Sequence, residues 1–223
     1  MSARRRPRPS RIWDLTERRA VVAVAERLTR VRRQTIQKTL HRAMYLAHLE
    51  RLRGTKPEPL YFLGSLAGRR YTPRGGPAGM YLAFDPSTPP AELRAVVFEH
   101  GFPVRSQEHD PIVTIAVRSV VHHVLNLMDP VTVTTLELRD ADLKADWEGG
   151  QAEYLAGTAP MPATQLLALA AHESGLCAGI KYPSARTDFG VNLVVFPDRL
   201  DAGRGDRLEV VDSAGRFTQC LPP

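Results

Sequence analysis

From Trp13 to Arg53 the chain runs without a proline or a glycine, and all 16 of its glycines lie beyond that stretch. A long uninterrupted run of strong helix formers reads as regular structure, while the glycine-bearing remainder must be short elements joined by turns. Within the run Val24, Leu28, Val31, Leu40, Met44 and Ala47 recur at helical spacing. That spacing predicts one long or two shorter amphipathic helices with an arginine-rich outer face. Pro7 and Pro9 exclude regular helix from the Arg/Pro-rich start, which reads as disordered. Gly54 stops the helix and Lys56-Pro57-Glu58-Pro59 makes a linker. The expected organisation is a disordered basic tail at 1–11, a basic helical arm at 12–53, a linker at 54–59 and a folded body at 60–223.

Charge divides along the same line. Residues 1–53 hold 15 Lys/Arg against 4 Asp/Glu, while residues 54–223 hold 15 against 20, so the formal net charge of +6 conceals a mildly acidic body. A uniformly nucleic-acid-binding body is therefore disfavoured. No apolar run approaches the roughly 20 residues of a membrane span, and the basic N-terminus lacks the apolar core of a secretory signal. The two cysteines, Cys177 and Cys220, form no close-spaced motif, which suits a reducing cytoplasm.

The body mixes short strands and helices, an α+β pattern without repeats. Leu60–Leu63 and Met80–Phe84 read as strands around a Gly/Pro/Arg loop. Thr88-Pro89-Pro90 opens a helix running to about His100, since proline is tolerated in a first turn. Ile112–Val117 and His123–Leu127 are two strand candidates, and Val131–Leu138 fits strand by composition and helix by spacing. Ala163–Glu173, closed by Gly175, is an amphipathic helix. Ile180–Tyr182, Asn192–Phe196, Arg207–Val211 and Arg216–Leu221 complete the strands, the last two as a hairpin over Ser213-Ala214-Gly215.

There is no P-loop, dinucleotide fingerprint, nucleophile elbow or H-E-x-x-H, so no metal site is expected. Three clusters remain. Gly68-Arg69-Arg70-Tyr71-Thr72-Pro73-Arg74-Gly75-Gly76 offers arginine forks and glycine-freed amides for a phosphorylated ligand, or is a hairpin loop with solvated arginines. Asp85-Pro86-Ser87-Thr88-Pro89-Pro90-Ala91-Glu92 puts a carboxylate in a first helical turn, commonly a simple dipole partner. Gly179-Ile180-Lys181-Tyr182-Pro183-Ser184-Ala185-Arg186 leads through a turn to Asn192-Leu193-Val194-Val195-Phe196.

In this order the clusters resemble the RES domain, named for an Arg, a Glu and a Ser, and the resemblance covers about residues 60–200. Val124-Leu125-Asn126-Leu127, Asp140-Ala141-Asp142-Leu143, Trp147 and Ala163-Thr164-Gln165-Leu166-Leu167 resemble that family's middle section. The resemblance implies an ADP-ribosyltransferase-like fold and a toxin that consumes NAD, paired with an antitoxin that covers its active site. It carries the family's Arg onto Arg70, its Glu onto Glu92 and its Ser onto Ser184 as catalytic residues. Tyr81, Tyr71, Arg69 and Arg186 become substrate-binding candidates. The sequence departs from the family at Ser87, where an acidic residue is expected, and at Pro89-Pro90. The second proline can shift the helix start, and Glu99 is then the alternative carboxylate.

What the resemblance implies chemically suits those residue types. Cleaving the nicotinamide–ribose bond of NAD passes through an oxocarbenium-like transition state, which Glu92 would stabilise. Arg70 would grip phosphate or ribose oxygens, Tyr81 would face the cationic nicotinamide, and Ser184 would orient the ribose or the nicotinamide amide. Water, inorganic phosphate or a protein side chain as acceptor gives a glycohydrolase, a phosphorylase or an ADP-ribosyltransferase. A competing class is a non-catalytic module, in which the 12–53 arm binds nucleic acid weakly, docks an acidic antitoxin or second subunit, or is simply a solvated face.

Overall fold

The computed structural model describes residues 15–46, 68–99, 111–210 and 219–222, and of residues 15, 94–99 and 219 it describes the backbone alone. The expected tail at 1–11, linker at 54–59, strand at Leu60–Leu63 and hairpin turn at Ser213-Ala214-Gly215 lie outside the described residues.

The chain opens with helix α1 (Leu15–Leu28), whose Val21 and Leu28 are buried. Glu17 in its first turn and Arg27 in its last complement the helix dipole. After a turn at Thr29–Arg30 comes β1 (Arg33–Tyr45), a strand of 13 residues. Over 33–45 this corrects the expected helical arm, while α1 is helix as expected. Ile36 and Leu40 are buried four residues apart, and Met44 follows at the same interval. A spacing of four fits one face of a helix and, being even, one face of a strand, so the periodicity did not discriminate. Pairing partners decide it: β1 lies along the whole of β3 (Ile112–Asn126), Gln37 opposite Val120 and Met44 opposite Val113. Residues 33–45 of the basic segment are therefore built into the sheet.

β3 is one 15-residue strand where two were expected. Val117 and Val121 lie in the interior, and so does Val124, which breaks the alternation of faces. The register shifts between Gln34 and Ile36 of β1, and His123 nearby has φ of +55°. This bulge changes the phase of the strand, which made its apolar pattern read as two pieces.

Five strands close a barrel. β2 (Met80–Ala83) meets β1 at Ala83–His41 and runs antiparallel to β5 (Val191–Val195). β5 pairs antiparallel with β4 (Gly179–Pro183), β4 lies parallel to the end of β3, and β3 returns to β1. β6 (Arg207–Val210) continues the sheet from the middle of β3 and pairs antiparallel with β7 (Gln219–Leu221). The buried Asp206 pins the start of β6, its Oδ1 accepting from the His122 backbone amide at 2.6 Å.

Helices pack against the barrel. α2 (Thr88–Glu99) follows β2. α3 (Pro130–Thr135), α4 (Asp140–Lys144), α5 (Trp147–Ala156) and α6 (Ala163–Glu173) lie between β3 and β4. Asp129 caps α3, accepting from the amides of Val131 and Thr132, so the ambiguous Val131–Leu138 stretch begins as helix. α6 is buried on most of its surface and packs against α1, Val21 and Leu28 joining Leu167 and Leu169 in one core. β5 faces both cores, with Leu193 and Val195 inside the barrel and Val194 against the helices. Burying each such side chain contributes about 1.5–3 kcal/mol. The architecture is α+β with a closed barrel, and its cleft opens where α2, β2, β5 and the 68–79 loop converge. Among the described residues no helix is long and apolar enough to cross a membrane.

Candidate active site

The 68–79 loop is a tight turn locked from several sides. Arg69 and Thr72 exchange backbone hydrogen bonds at 2.7 and 3.1 Å. The Arg69 carbonyl also accepts from Nε2 of the buried Gln165 at 2.9 Å. Gly68 permits the turn, with φ of +90° and the Gln151 side chain where a Cβ would stand. Arg70 is thereby directed into the cleft, its guanidinium donating to the carbonyls of Leu143 at 2.7 Å and Ala145 at 3.2 Å.

Tyr81 on β2 supports this loop from below. Its hydroxyl accepts from the Tyr71 amide at 3.0 Å and pairs with Thr72 Oγ1 at 3.1 Å. Burial raises its phenol to about 12, and hydrogen bonds from Thr72 and Tyr71 offset this only in part. Tyr81 is therefore a neutral aromatic face at physiological pH, and its ring lines the cleft.

The carboxylate comes from α2, and its helix start is fixed by Asp85. One oxygen of Asp85 accepts from the amides of Ser87 and Thr88 at 3.0 and 2.8 Å, the other from Thr88 Oγ1 at 2.7 Å. Burial pushes the Asp85 carboxyl up, but these Thr88 and Ser87 donors outweigh it and hold the group at about 2. Pro89 and Pro90 sit in the first turn, where their missing N–H groups cost nothing. The second proline therefore leaves the helix start in place, and Glu92 reaches the cleft one turn further on. The side chain of Glu99 lies outside the described residues.

Two donors converge on a single oxygen of Glu92. Ser184 Oγ donates to Oε1 at 2.6 Å and Asn192 Nδ2 donates to the same atom at 2.9 Å. The Ser184 hydroxyl also accepts from the amides of Arg186 at 3.0 Å and Thr187 at 3.2 Å. Its one proton and its lone pairs are thus engaged within the protein. The turn closes through Ser184 N donating to the Gly190 carbonyl at 2.7 Å. Gly190 has no room for a Cβ, which would stand 2.9 Å from that of Ser184 and closer still to the Thr88 and Thr187 hydroxyls.

Arg69, Arg70, Tyr81, Glu92 and Arg186 thus line one cavity of about 220 Å³, with Ser184 bonded to its carboxylate. Tyr71 is the exception: it is fully buried behind the cleft, its ring 4.2 Å from that of Tyr182 at 43°. It can support the wall but not touch a ligand. The lining also contains Arg42, Trp147, Tyr182 and Asn192, to which sequence reasoning assigned no role. Arg42 was hidden by the helical reading of β1. Asn192 did carry a signal, being the polar residue in a strand of otherwise apolar ones, where a buried amide must find partners. Four arginines against Glu92 and Glu148 make the lining cationic on balance, and burial lowers Arg42 only to about 10, still charged at neutral pH. The cavity suits an anionic ligand with a flat or cationic portion against its aromatic wall.

The RES domain family model matches residues 46–218, which is most of the chain and includes every cleft residue named above except Arg42. The chain belongs to the RES domain family. No curated protein matches it. Among solved structures this RES chain is similar to one from the M. tuberculosis MbcT-MbcA toxin-antitoxin complex, with a TM-score of 0.57 and 18% sequence identity. The match covers 89% of this chain and 90% of that chain, so it takes in more than the RES model does. At that identity the likeness is one of fold.

Proposed function

We propose that this RES domain protein is the toxin of a toxin–antitoxin pair and acts by cleaving the nicotinamide–ribose bond of NAD. The observation that carries the reading is the fixed carboxylate of Glu92 in a cleft lined by arginines and aromatic rings. As the bond to nicotinamide breaks, positive charge develops on the ribose, and an oriented carboxylate beside it stabilises that charge. Arg70, already held by two carbonyls, presents the rest of its fork to the ribose or phosphate oxygens. The faces of Tyr81 and Trp147 suit the cationic ring, an interaction of about 0.5–2 kcal/mol. Ser184 donates its hydroxyl proton in a hydrogen bond to Glu92, so on this reading it orients the carboxylate.

Water as acceptor yields ADP-ribose, nicotinamide and a proton, and inorganic phosphate yields the ADP-ribose 1-phosphate ester and nicotinamide. On the phosphorylase reading Arg69 and Arg186, both lining the cleft, would hold the phosphate. A protein acceptor would make the chain a mono-ADP-ribosyltransferase, with the same first bond broken. Whichever acceptor is used, the reading carries with it a fold of the ADP-ribosyltransferase kind and the bacterial cytoplasm as the site of action. An antitoxin partner covering the cleft is supported by the likeness to a toxin–antitoxin complex and by Phe189, 96% exposed on the turn that carries Arg186. The alternative of a non-catalytic module with an independent basic arm is weakened, because α1 packs on α6 and β1 closes the barrel.

The test is incubation of purified protein with NAD, with and without phosphate, and identification of products by mass spectrometry. Free nicotinamide is expected in at least one condition, and Glu92→Gln should lower its release by about 1000-fold with the melting temperature retained. Intact NAD in both conditions, with candidate acceptor proteins also present, defeats the reading.

A further inference from the structure

Asn192 is the second donor on Glu92, and neither its strand nor its neighbours explain an amide at that position. β5 is apolar at Val191, Leu193, Val194 and Val195, and Asn192 is buried among them, with 5% exposure. Burying an unpaired amide costs on the order of 1–3 kcal/mol, so its polar atoms must serve a partner. The strand cannot relax to find another one, because Asn192 is paired with Ala83 on β2 and with Tyr182 on β4. Its amide nitrogen must face Glu92, since the carbonyl oxygen there would set acceptor against acceptor.

We propose that Asn192 is a positioning residue for Glu92: together with Ser184 it saturates Oε1, so that Oε2 alone meets the substrate. This rests on the reading of Glu92 as the carboxylate that stabilises the developing charge. A carboxylate oxygen has two lone pairs in its plane, and donors at 2.6 and 2.9 Å fill both. The carboxylate then cannot rotate about its terminal bond, and Oε2 is presented to the cleft in one orientation. A neutral donor is required, because a cation would form an ion pair with the group and a second carboxylate would repel it. Asparagine supplies that from a strand that is hydrogen-bonded on both edges.

The experiment compares wild type, Asn192→Ala and Asn192→Asp for kcat and KM with NAD. Asn192→Ala should lower kcat by about 100-fold with KM changed less than about threefold. Asn192→Asp should be at least as damaging, since it keeps the shape and replaces the donor with an acceptor. A residue that merely fills space would give the reverse order, so an aspartate variant milder than the alanine variant overturns the proposal. Both variants within threefold of wild type would overturn it too. A second measurement needs no turnover: the side-chain amide resonances of Asn192, displaced by the carboxylate in wild type, should return to ordinary amide positions in Glu92→Ala. Unchanged resonances refute the contact. If wild type releases no nicotinamide, the NAD reading falls and the amide resonances alone decide the role of Asn192.

Discussion

The two walls of the cleft hold their charged groups by different means. On one, Glu92 is fixed by two side chains, the hydroxyl of Ser184 and the amide of Asn192. On the other, Arg70 is fixed by two main-chain carbonyls, those of Leu143 and Ala145. Hydrogen bonds to a charged group contribute about 1.5–3 kcal/mol each, so the restraints are comparable in strength. They differ in origin. The carboxylate depends on residue identity at two positions, whereas the guanidinium depends on a loop being where it is. Orientation on the first wall is therefore open to single substitutions, and on the second only Arg70 itself can be changed.

Ser184→Ala probes the first wall through its shortest hydrogen bond. It removes a 2.6 Å donor from Glu92 and also the acceptor used by the amides of Arg186 and Thr187. A fall of about 100-fold in kcat is expected, with a stability loss of about 1–2 kcal/mol. Steady-state kinetics with NAD and thermal melting measure the two separately. A kcat within threefold of wild type would mean the carboxylate is oriented without the hydroxyl, and the contrast between the walls would dissolve.

Arg70→Lys probes the second wall with a smaller effect. The ammonium keeps the charge and can still reach the Leu143 carbonyl, but it lacks the planar fork. KM should rise about tenfold, with kcat falling less, because the carbonyls still direct the cation into the cleft. If kcat instead fell as far as in Ser184→Ala, Arg70 would be acting on the transition state as strongly as Glu92, and the walls would be equivalent.

These walls were unequally legible in the sequence. Ala163–Glu173 is a helix with the bounds its periodicity predicts, because apolar side chains recur over three turns and Gly175 ends them. Arg70, Glu92 and Ser184 were each found through a motif, and the fold brings them to one cleft. What was missed depends on tertiary contact. A four-residue spacing could not distinguish the face of β1 from that of a helix, so Arg42 was not linked to the cleft. Tyr71 adjoins Arg70 in sequence and yet turns into the core, since neighbouring residues in a tight turn point in different directions. Asn192 was read as part of a strand, because nothing local shows that a carboxylate lies opposite.

The smallest expected effect concerns Asp85, which acts on the Glu92 wall at one remove by fixing the start of α2. Its carboxyl is held at about 2, against an ordinary 3.8, by the Thr88 and Ser87 donors, which outweigh a burial that acts the other way. A lowered folded-state value means the stabilisation is present above about pH 4 and is lost as pH falls through about 2. The group is largely solvated, and screening limits the contribution to less than about 1 kcal/mol. Asp85→Asn should therefore melt slightly below wild type at pH 7, and the gap should shrink steadily between pH 4 and pH 2. A gap that persists undiminished at pH 2 would assign the effect to shape rather than charge. It would also sharpen the contrast between the walls, since the helix carrying Glu92 would then, like the Arg70 loop, be held by backbone geometry, leaving only the carboxylate itself under side-chain control.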